Sequence, residues 1–169
     1  KILVFGASGL LGSNLVYYLK RFHSIYYHYT SRSLYFNKVH YIKLFENLDQ
    51  IKINELEKKI SELKIDIIIN CVALTDINYC EKNKLKSKLY NFEFPVILNK
   101  ICNKQKIKFV QISTDQLYSD KAKYKTENSK TNPLNVYGKH KLLCERSLLK
   151  ANKDVLILRT NFFGISPFK

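Results

Sequence analysis

The chain has 169 residues, 46% of them hydrophobic, and a net charge of +15. That length fits one domain with a real core, and no apolar run reaches the roughly 18 residues that would span a bilayer. The positive charge is scattered lysine, with arginine confined to Arg21, Arg32, Arg146 and Arg159, so a lysine-rich solvated surface explains it better than a nucleic-acid stripe, and an anionic small molecule would be attracted.

Residues 2–5 (ILVF) read as a buried strand entering a glycine turn, not as a signal peptide. The first residue is Lys1, so a few residues are expected upstream. The turn is Gly6-Ala7-Ser8-Gly9-Leu10-Leu11-Gly12, and a helical pattern follows to about His23. Strand, glycine turn and helix in that order make a dinucleotide site. Glycine lets the backbone approach a pyrophosphate, whose charge sits on the N–H groups of the helix start. The residues expected there are Gly6, Ser8, Gly9, Leu10, Leu11 and Gly12.

Residues 25–30 read as a second strand. An NAD site usually places an acid at its end for the ribose hydroxyls. No acid precedes Glu46; the strand runs into Thr30-Ser31-Arg32-Ser33. Ser31 and Arg32 suit a 2′-phosphate, so NADPH is the expected cofactor, with NADH as the second choice. A third strand is expected over 39–44. Asn54 is the expected cap of a helix over 55–63. Residues 65–72 (IDIIINCV) read as a central buried strand that delivers Cys71, Val72 and Ala73 to the cofactor. A helix is expected over 84–104, broken or kinked near Phe94 by Pro95. The fifth strand, 107–112, brings Ser113, Thr114 and Asp115 to the carboxyl edge of the sheet. Residues 116–133 read as a loop over the site. A helix over 134–149 and a strand over 155–158 follow. Strands alternating with helices predict an α/β, Rossmann-like doubly wound parallel sheet with helices on both faces, in one domain.

Tyr137 and Lys141 are four residues apart, so a helix puts them on one face. An ammonium beside a phenol favours the phenolate, so Lys141 is expected to lower the Tyr137 pKa from about 10. Tyr137 would protonate a carbonyl oxygen during hydride transfer from a nicotinamide. Lys141 could also hold the nicotinamide ribose. Thr114, with Ser113 as the lesser choice, would orient the carbonyl. Cys71, Cys80, Cys102 and Cys144 share no metal-ligand spacing, so no metal site is expected and a reduced, cytoplasmic setting suits them.

At this point the chain resembles the extended short-chain dehydrogenase/reductases, and within them the dTDP-4-dehydrorhamnose reductases. The matching segments are GASGLLG (6–12), NCVALTDINYCE (70–81), YNFEFP (90–95), ISTDQLY (112–118), YKTENSKTNPLNVYGKHKLLCE (124–145) and LRTNFFG (158–164). The resemblance implies reduction of the 4-keto group of a nucleotide-linked deoxysugar. It implies Thr114, Tyr137 and Lys141 as catalytic, Ala73 and Thr75 at the cofactor, and Asp115 and Asn161 at the substrate. A nucleotide sugar is the expected partner and a homodimer the candidate assembly. Gln116 stands where related dehydratases carry an acid, which disfavours water elimination. Phe162 replaces an aromatic that is often Trp. Members of that family continue with a substrate-binding lobe, so the chain is expected to be a fragment or a truncated form. An epimerase of the same superfamily, or a non-catalytic NADP(H)-binding regulatory subunit, are the alternatives.

Overall fold

A computed structural model of the chain describes residues 1–30, 36–118, 124–152 and 154–164. Its strands are β1 (Ile2–Phe5), β2 (Ile25–His28), β3 (His40–Tyr41), β4 (Ile67–Asn70), β5 (Lys108–Thr114) and β6 (Leu156–Thr160). They form one sheet in the order β3-β2-β1-β4-β5-β6, and every pairing is parallel. This is the doubly wound order, and its direction reverses between β1 and β4. The helices are α1 (Leu10–Leu19), α2 (Ile53–Leu63), α3 (Ile77–Lys82), α4 (Lys84–Lys88), α5 (Phe94–Gln105) and α6 (Val136–Ala151).

β1 is buried on both faces, as a central parallel strand must be. Leu3 and Phe5 face one core, with Leu56 and Ile60 of α2, Leu98 of α5, and Cys144 and Leu148 of α6. Ile2 and Val4 face the other, with Val16 of α1, Ile25 and Tyr27. At the far edge, Leu156 and Leu158 of β6 remain 52% and 42% exposed.

Several boundaries differ from expectation, each for a local reason. β3 is two residues long, not six, because His28 takes over the next ladder groups. The Ile42 carbonyl and the Leu44 N–H both lie against His28 Nδ1, at 3.1 and 3.3 Å. Helix α2 begins at Ile53 with Lys52 at the cap position, so Asn54 is not the cap. The helix is not ended at Pro95; its expected irregularity near Phe94 takes another form. A wide π turn, Leu89–Glu93, joins α4 to α5 and places Pro95 in the first turn of α5, where a missing N–H costs nothing. Helix α3 was not expected, although its cap is legible: the Asp76 side chain accepts the Tyr79 N–H at 2.9 Å. Strand β6 begins and ends later than the expected 155–158.

The loop before α6 is anchored by one ion pair. Arg159 of β6 donates to both carboxylate oxygens of Glu145 on α6, its Nη2 lying 2.7 Å from Oε2. Its Nη1 donates to the Tyr118 hydroxyl at 2.7 Å and to the Glu127 carbonyl at 3.0 Å. Glu145 is only 2% exposed. Arg159→Ala strands that carboxylate, and a loss of about 3 kcal/mol in a urea-denaturation series is expected. A loss under about 1 kcal/mol would show that the pair is effectively solvated.

Candidate functional site

The glycine turn is built by two close approaches. Gly6 leaves β1 with φ +76°, and a Cβ there would lie 2.9 Å from the backbone of Cys71 and Val72. Gly12 lies on the turn itself: a Cβ there would stand 2.3 Å from the Gly6 carbonyl oxygen. Both contacts press the start of α1 against the ends of β1 and β4, at the point where the strand order reverses. The cap residue of α1 is Gly9, which has no side chain to offer, and no acid lies in the first turn, so the N-terminal dipole favours an anion there.

A cleft of about 350 Å³ opens there. Of the expected cofactor residues, Gly6, Ser8, Gly9, Cys71, Val72 and Ala73 line it. Leu10, Leu11 and Gly12 form the first turn of α1 and, like the exposed Thr75, are not part of its lining. Ser31 and Arg32 lie outside the described residues. The rest of the lining was not anticipated and includes His28, Phe45, Leu48, Tyr79, Lys86 and Tyr90. His28 lay inside the expected strand 25–30, and only the structure makes it the last residue of β2.

The carboxyl edge is stiffened by buried amides that sequence reasoning also passed over. Asn70 donates to Gln111 at 2.8 Å and accepts the Val72 N–H at 3.1 Å. Asn91, in the π turn, accepts the Leu74 N–H and donates to the Leu74 carbonyl, both at 3.0 Å. It also donates to Ser87, whose hydroxyl meets His140 Nδ1 at 2.9 Å. The YNFEFP match pointed at Asn91 without giving it a role.

Tyr137 and Lys141 lie one turn apart on α6, at 6% and 2% exposure. Asn135 caps that helix by accepting the Gly138 N–H at 2.7 Å. Thr114 ends β5; its hydroxyl donates to Asp115 Oδ1 at 3.4 Å and lies near enough to the Tyr137 phenol to favour the phenolate. Its Oγ1 also accepts the Gln116 N–H at 3.2 Å. Ser113 Oγ is buried and has no hydrogen-bond partner among the described residues. Asp115 is exposed and opens a short 3-10 turn. Thr160 sits in register with Thr114, which puts the exposed Asn161 at the same edge. Thr114, Tyr137 and Lys141 do not line the cleft; Lys141 lies near it, since the thiol of Cys71, a lining residue, feels its charge.

The electrostatics correct one expectation. The Tyr137 pKa is raised, not lowered: burial dominates, Cys80 and Asp115 push the same way, and the Thr114 hydroxyl only partly opposes them. Lys141 Nζ donates to the Ile112 carbonyl at 2.5 Å, and burial lowers its own pKa. All four cysteines are free, and burial pushes Cys71, Cys102 and Cys144 up to about 12, so those thiols stay protonated. Among the described residues no group of three or more His, Cys, Asp or Glu could hold a metal ion, and no helix is long and apolar enough to cross a membrane.

The residues present fit a dinucleotide. The glycine cradle and the start of α1, with no acid in its first turn, both suit one. Fold and turn together define a Rossmann-like domain of the reductase and epimerase type. The chain belongs to the family described as "RmlD substrate binding domain", whose model matches residues 1–164. It is 32% identical over 164 residues to the "Probable low-salt glycan biosynthesis reductase Agl14" of Haloferax volcanii, covering 94% of this chain and 52% of that one. A crystal structure titled as a hypothetical dTDP-4-dehydrorhamnose reductase from Sulfolobus tokodaii superposes with a TM-score of 0.80 at 32% identity, covering 94% of this chain and 55% of that one. A dTDP-4-dehydrorhamnose reductase from Bacillus anthracis, solved in complex with NADP, superposes with a TM-score of 0.76 at 25% identity, covering 94% and 52%. The chain thus spans about half the length of the relatives it matches.

Two outcomes are expected from this geometry. Gly12→Ala forces α1 off the Gly6 carbonyl; a loss of about 1–3 kcal/mol in stability and at least a tenfold weaker dinucleotide affinity are expected, by thermal melting and titration. His28 is held neutral by burial, its pKa lowered from 6.5 to about 4. Unfolding frees it to take up a proton, so its stabilisation is full above about pH 6.5 and lost as the pH falls towards 4. The expected loss is on the order of 3 kcal/mol, read from denaturation midpoints across that window.

Proposed function

We propose that the chain is the cofactor-binding part of an NADPH-dependent reductase acting on the 4-keto group of a nucleotide-linked deoxysugar. The observation that carries this is the Thr114 hydroxyl beside the buried Tyr137 phenol at the carboxyl edge, with Lys141 one turn along α6 and the glycine cleft nearby. The names of the Haloferax and Sulfolobus relatives, and the NADP in the Bacillus structure, support a reductase and this cofactor.

The nicotinamide, when bound, supplies the hydride. Gly6, Ser8, Gly9, Leu10, Leu11 and Gly12 hold the pyrophosphate on the start of α1. Ser31 and Arg32 meet the 2′-phosphate, and Cys71, Val72, Ala73 and Thr75 support the cofactor along the end of β4. Thr114 Oγ1 donates to the substrate carbonyl oxygen and orients it. Burial keeps the Tyr137 phenol protonated at neutral pH, so its proton is available to that oxygen as the hydride reaches carbon. Solvent returns the proton to Tyr137. Lys141 anchors the Tyr137 turn of α6 to β5 through the Ile112 carbonyl and contacts the nicotinamide ribose. Asp115 and Asn161 face the sugar.

The test has two stages. Titration of the chain with NADPH and NADH is expected to show binding, tighter for NADPH and reduced in Arg32→Ala. In a full-length protein carrying these residues, Tyr137→Phe is expected to lower kcat for a 4-keto sugar nucleotide by about 100- to 10,000-fold, while its NADPH affinity stays within about twofold. Tight NADPH binding with no turnover by the unaltered full-length protein would favour a regulatory subunit instead.

A further inference from the structure

His140 lies on α6, between Tyr137 and Lys141 in sequence, but its ring is turned to α4. Its Nδ1 and the Ser87 hydroxyl are 2.9 Å apart, and Ser87 is fully buried. The roles in this contact follow from the groups behind it. Asn91 Oδ1 takes the Leu74 N–H at 3.0 Å. A backbone N–H can only donate, so that end of the amide is the oxygen. The other end, Nδ2, donates to the Leu74 carbonyl at 3.0 Å and to Ser87 Oγ at 3.2 Å. Ser87 is thus already an acceptor, and its single O–H has to point elsewhere. Among the described residues, His140 Nδ1 is the one further group within hydrogen-bond reach of it. Nδ1 therefore accepts, and the neutral ring carries its proton on Nε2.

This chain of contacts ends at the cleft. Leu74 is a lining residue, and Asn91 holds both its N–H and its carbonyl. Protonation of His140 would put a hydrogen on Nδ1 as well. Two hydrogens would then face each other across the contact, and the buried hydroxyl would lose its acceptor, which is costly. The charged groups that face the ring are Lys88 of α4, Glu93 of the π turn and Glu81 of α3. Both acids are engaged: Glu93 pairs with Lys88 at 3.0 Å, and Glu81 accepts the Val136 N–H at 2.7 Å. Burial, with Lys88 adding to it, holds the His140 pKa below its usual value, so the ring is neutral near pH 7.

We propose that His140 is a positioning residue for the dinucleotide cleft: its neutral ring fixes Ser87 and Asn91, these fix the Leu74 backbone, and protonation of the ring releases that order and weakens dinucleotide binding. The proposal rests on the dinucleotide reading above and deepens it. By linkage, a bound dinucleotide must in turn make His140 harder to protonate.

The test is titration of the chain with NADP+ between about pH 7.5 and about pH 5, in the wild type, His140→Gln and Ser87→Ala. The 2′-phosphate also titrates in that window, but equally for all three proteins, so the comparison between them carries the answer. Glutamine offers an acceptor oxygen and does not titrate. His140→Gln is expected to bind within about twofold of the wild type at the upper pH, and the wild type to lose about three- to tenfold more affinity than His140→Gln at the lower pH. Ser87→Ala is expected to bind more weakly at the upper pH and to follow the shallower profile of His140→Gln. A second readout needs no variant protein to bind. The His140 imidazole resonance, assigned by its loss in His140→Gln, is expected to titrate about half to one pH unit lower in saturating NADP+. Parallel pH profiles for the wild type and His140→Gln overturn the proposal. So does a wild-type profile in Ser87→Ala, and so does a His140 titration that NADP+ leaves in place. A histidine that only supports the fold would leave that titration unmoved, even if its removal lowered the melting temperature. Should the wild type bind NADP+ at no pH, the dinucleotide reading falls, and this proposal with it. Binding without the His140 dependence removes the proposal alone.

Discussion

The structure turns on the contact between Gly12 and the carbonyl of Gly6. A helix can rest directly on a turn only if no Cβ intervenes, and here a Cβ would stand 2.3 Å from that oxygen. The contact sets the start of α1 against the exit of β1. Gly6 then brings the exit of β4 to the same point. Because β1 is paired on both sides and buried on both faces, the turn sits on the most constrained strand of the sheet. A polar ligand at that point meets backbone that cannot retreat.

Around this point the protein buries an unusual amount of polar side chain. Asn70, Gln111, Asn91 and Ser87 are all at or near zero exposure, and each is hydrogen-bonded to a neighbouring strand, turn or helix. Such groups add little net stability, but leaving one unpaired is expensive. They therefore act less as glue than as a gauge of geometry. The end of β4 is held by Asn70 and Asn91 together, and Asn91 is joined through Ser87 to His140 on the helix that carries Tyr137 and Lys141. Cofactor edge and candidate catalytic helix are thus parts of one hydrogen-bonded framework.

Much of this was legible in the residues. ILVF followed by three spaced glycines specifies a strand, a turn and a helix, because only glycine tolerates the approach. The alternation of apolar strands with helical segments predicts the parallel sheet. The Tyr137/Lys141 spacing places the pair on one helix face, and Thr114 follows from its place at a strand end. Less was legible where a side chain replaces backbone partners. His28 shortens β3 by occupying its ladder groups, and Asn91 sits in a π turn just before Pro95 that periodicity reads as a break. Both effects depend on which distant groups come within hydrogen-bond reach, and a local pattern carries no record of that.

Sequence alone determined the fold class, the alternation of strands with helices and the glycine cradle, since these follow from local periodicity and from backbone sterics at fixed spacings; the likeness to the reductase family rested on the matching segments themselves. Tertiary structure decided the direction of the Tyr137 shift, the rest of the cleft's lining and the unpartnered state of His28 Nε2. The sequence brings a lysine one turn from a tyrosine and predicts a lowered pKa. Only packing could set burial against that charge, turn the ammonium to the Ile112 carbonyl, and leave one ring nitrogen unpaired. Desolvation and hydrogen-bond satisfaction depend on the whole surroundings of an atom, and those surroundings come from residues far apart along the chain.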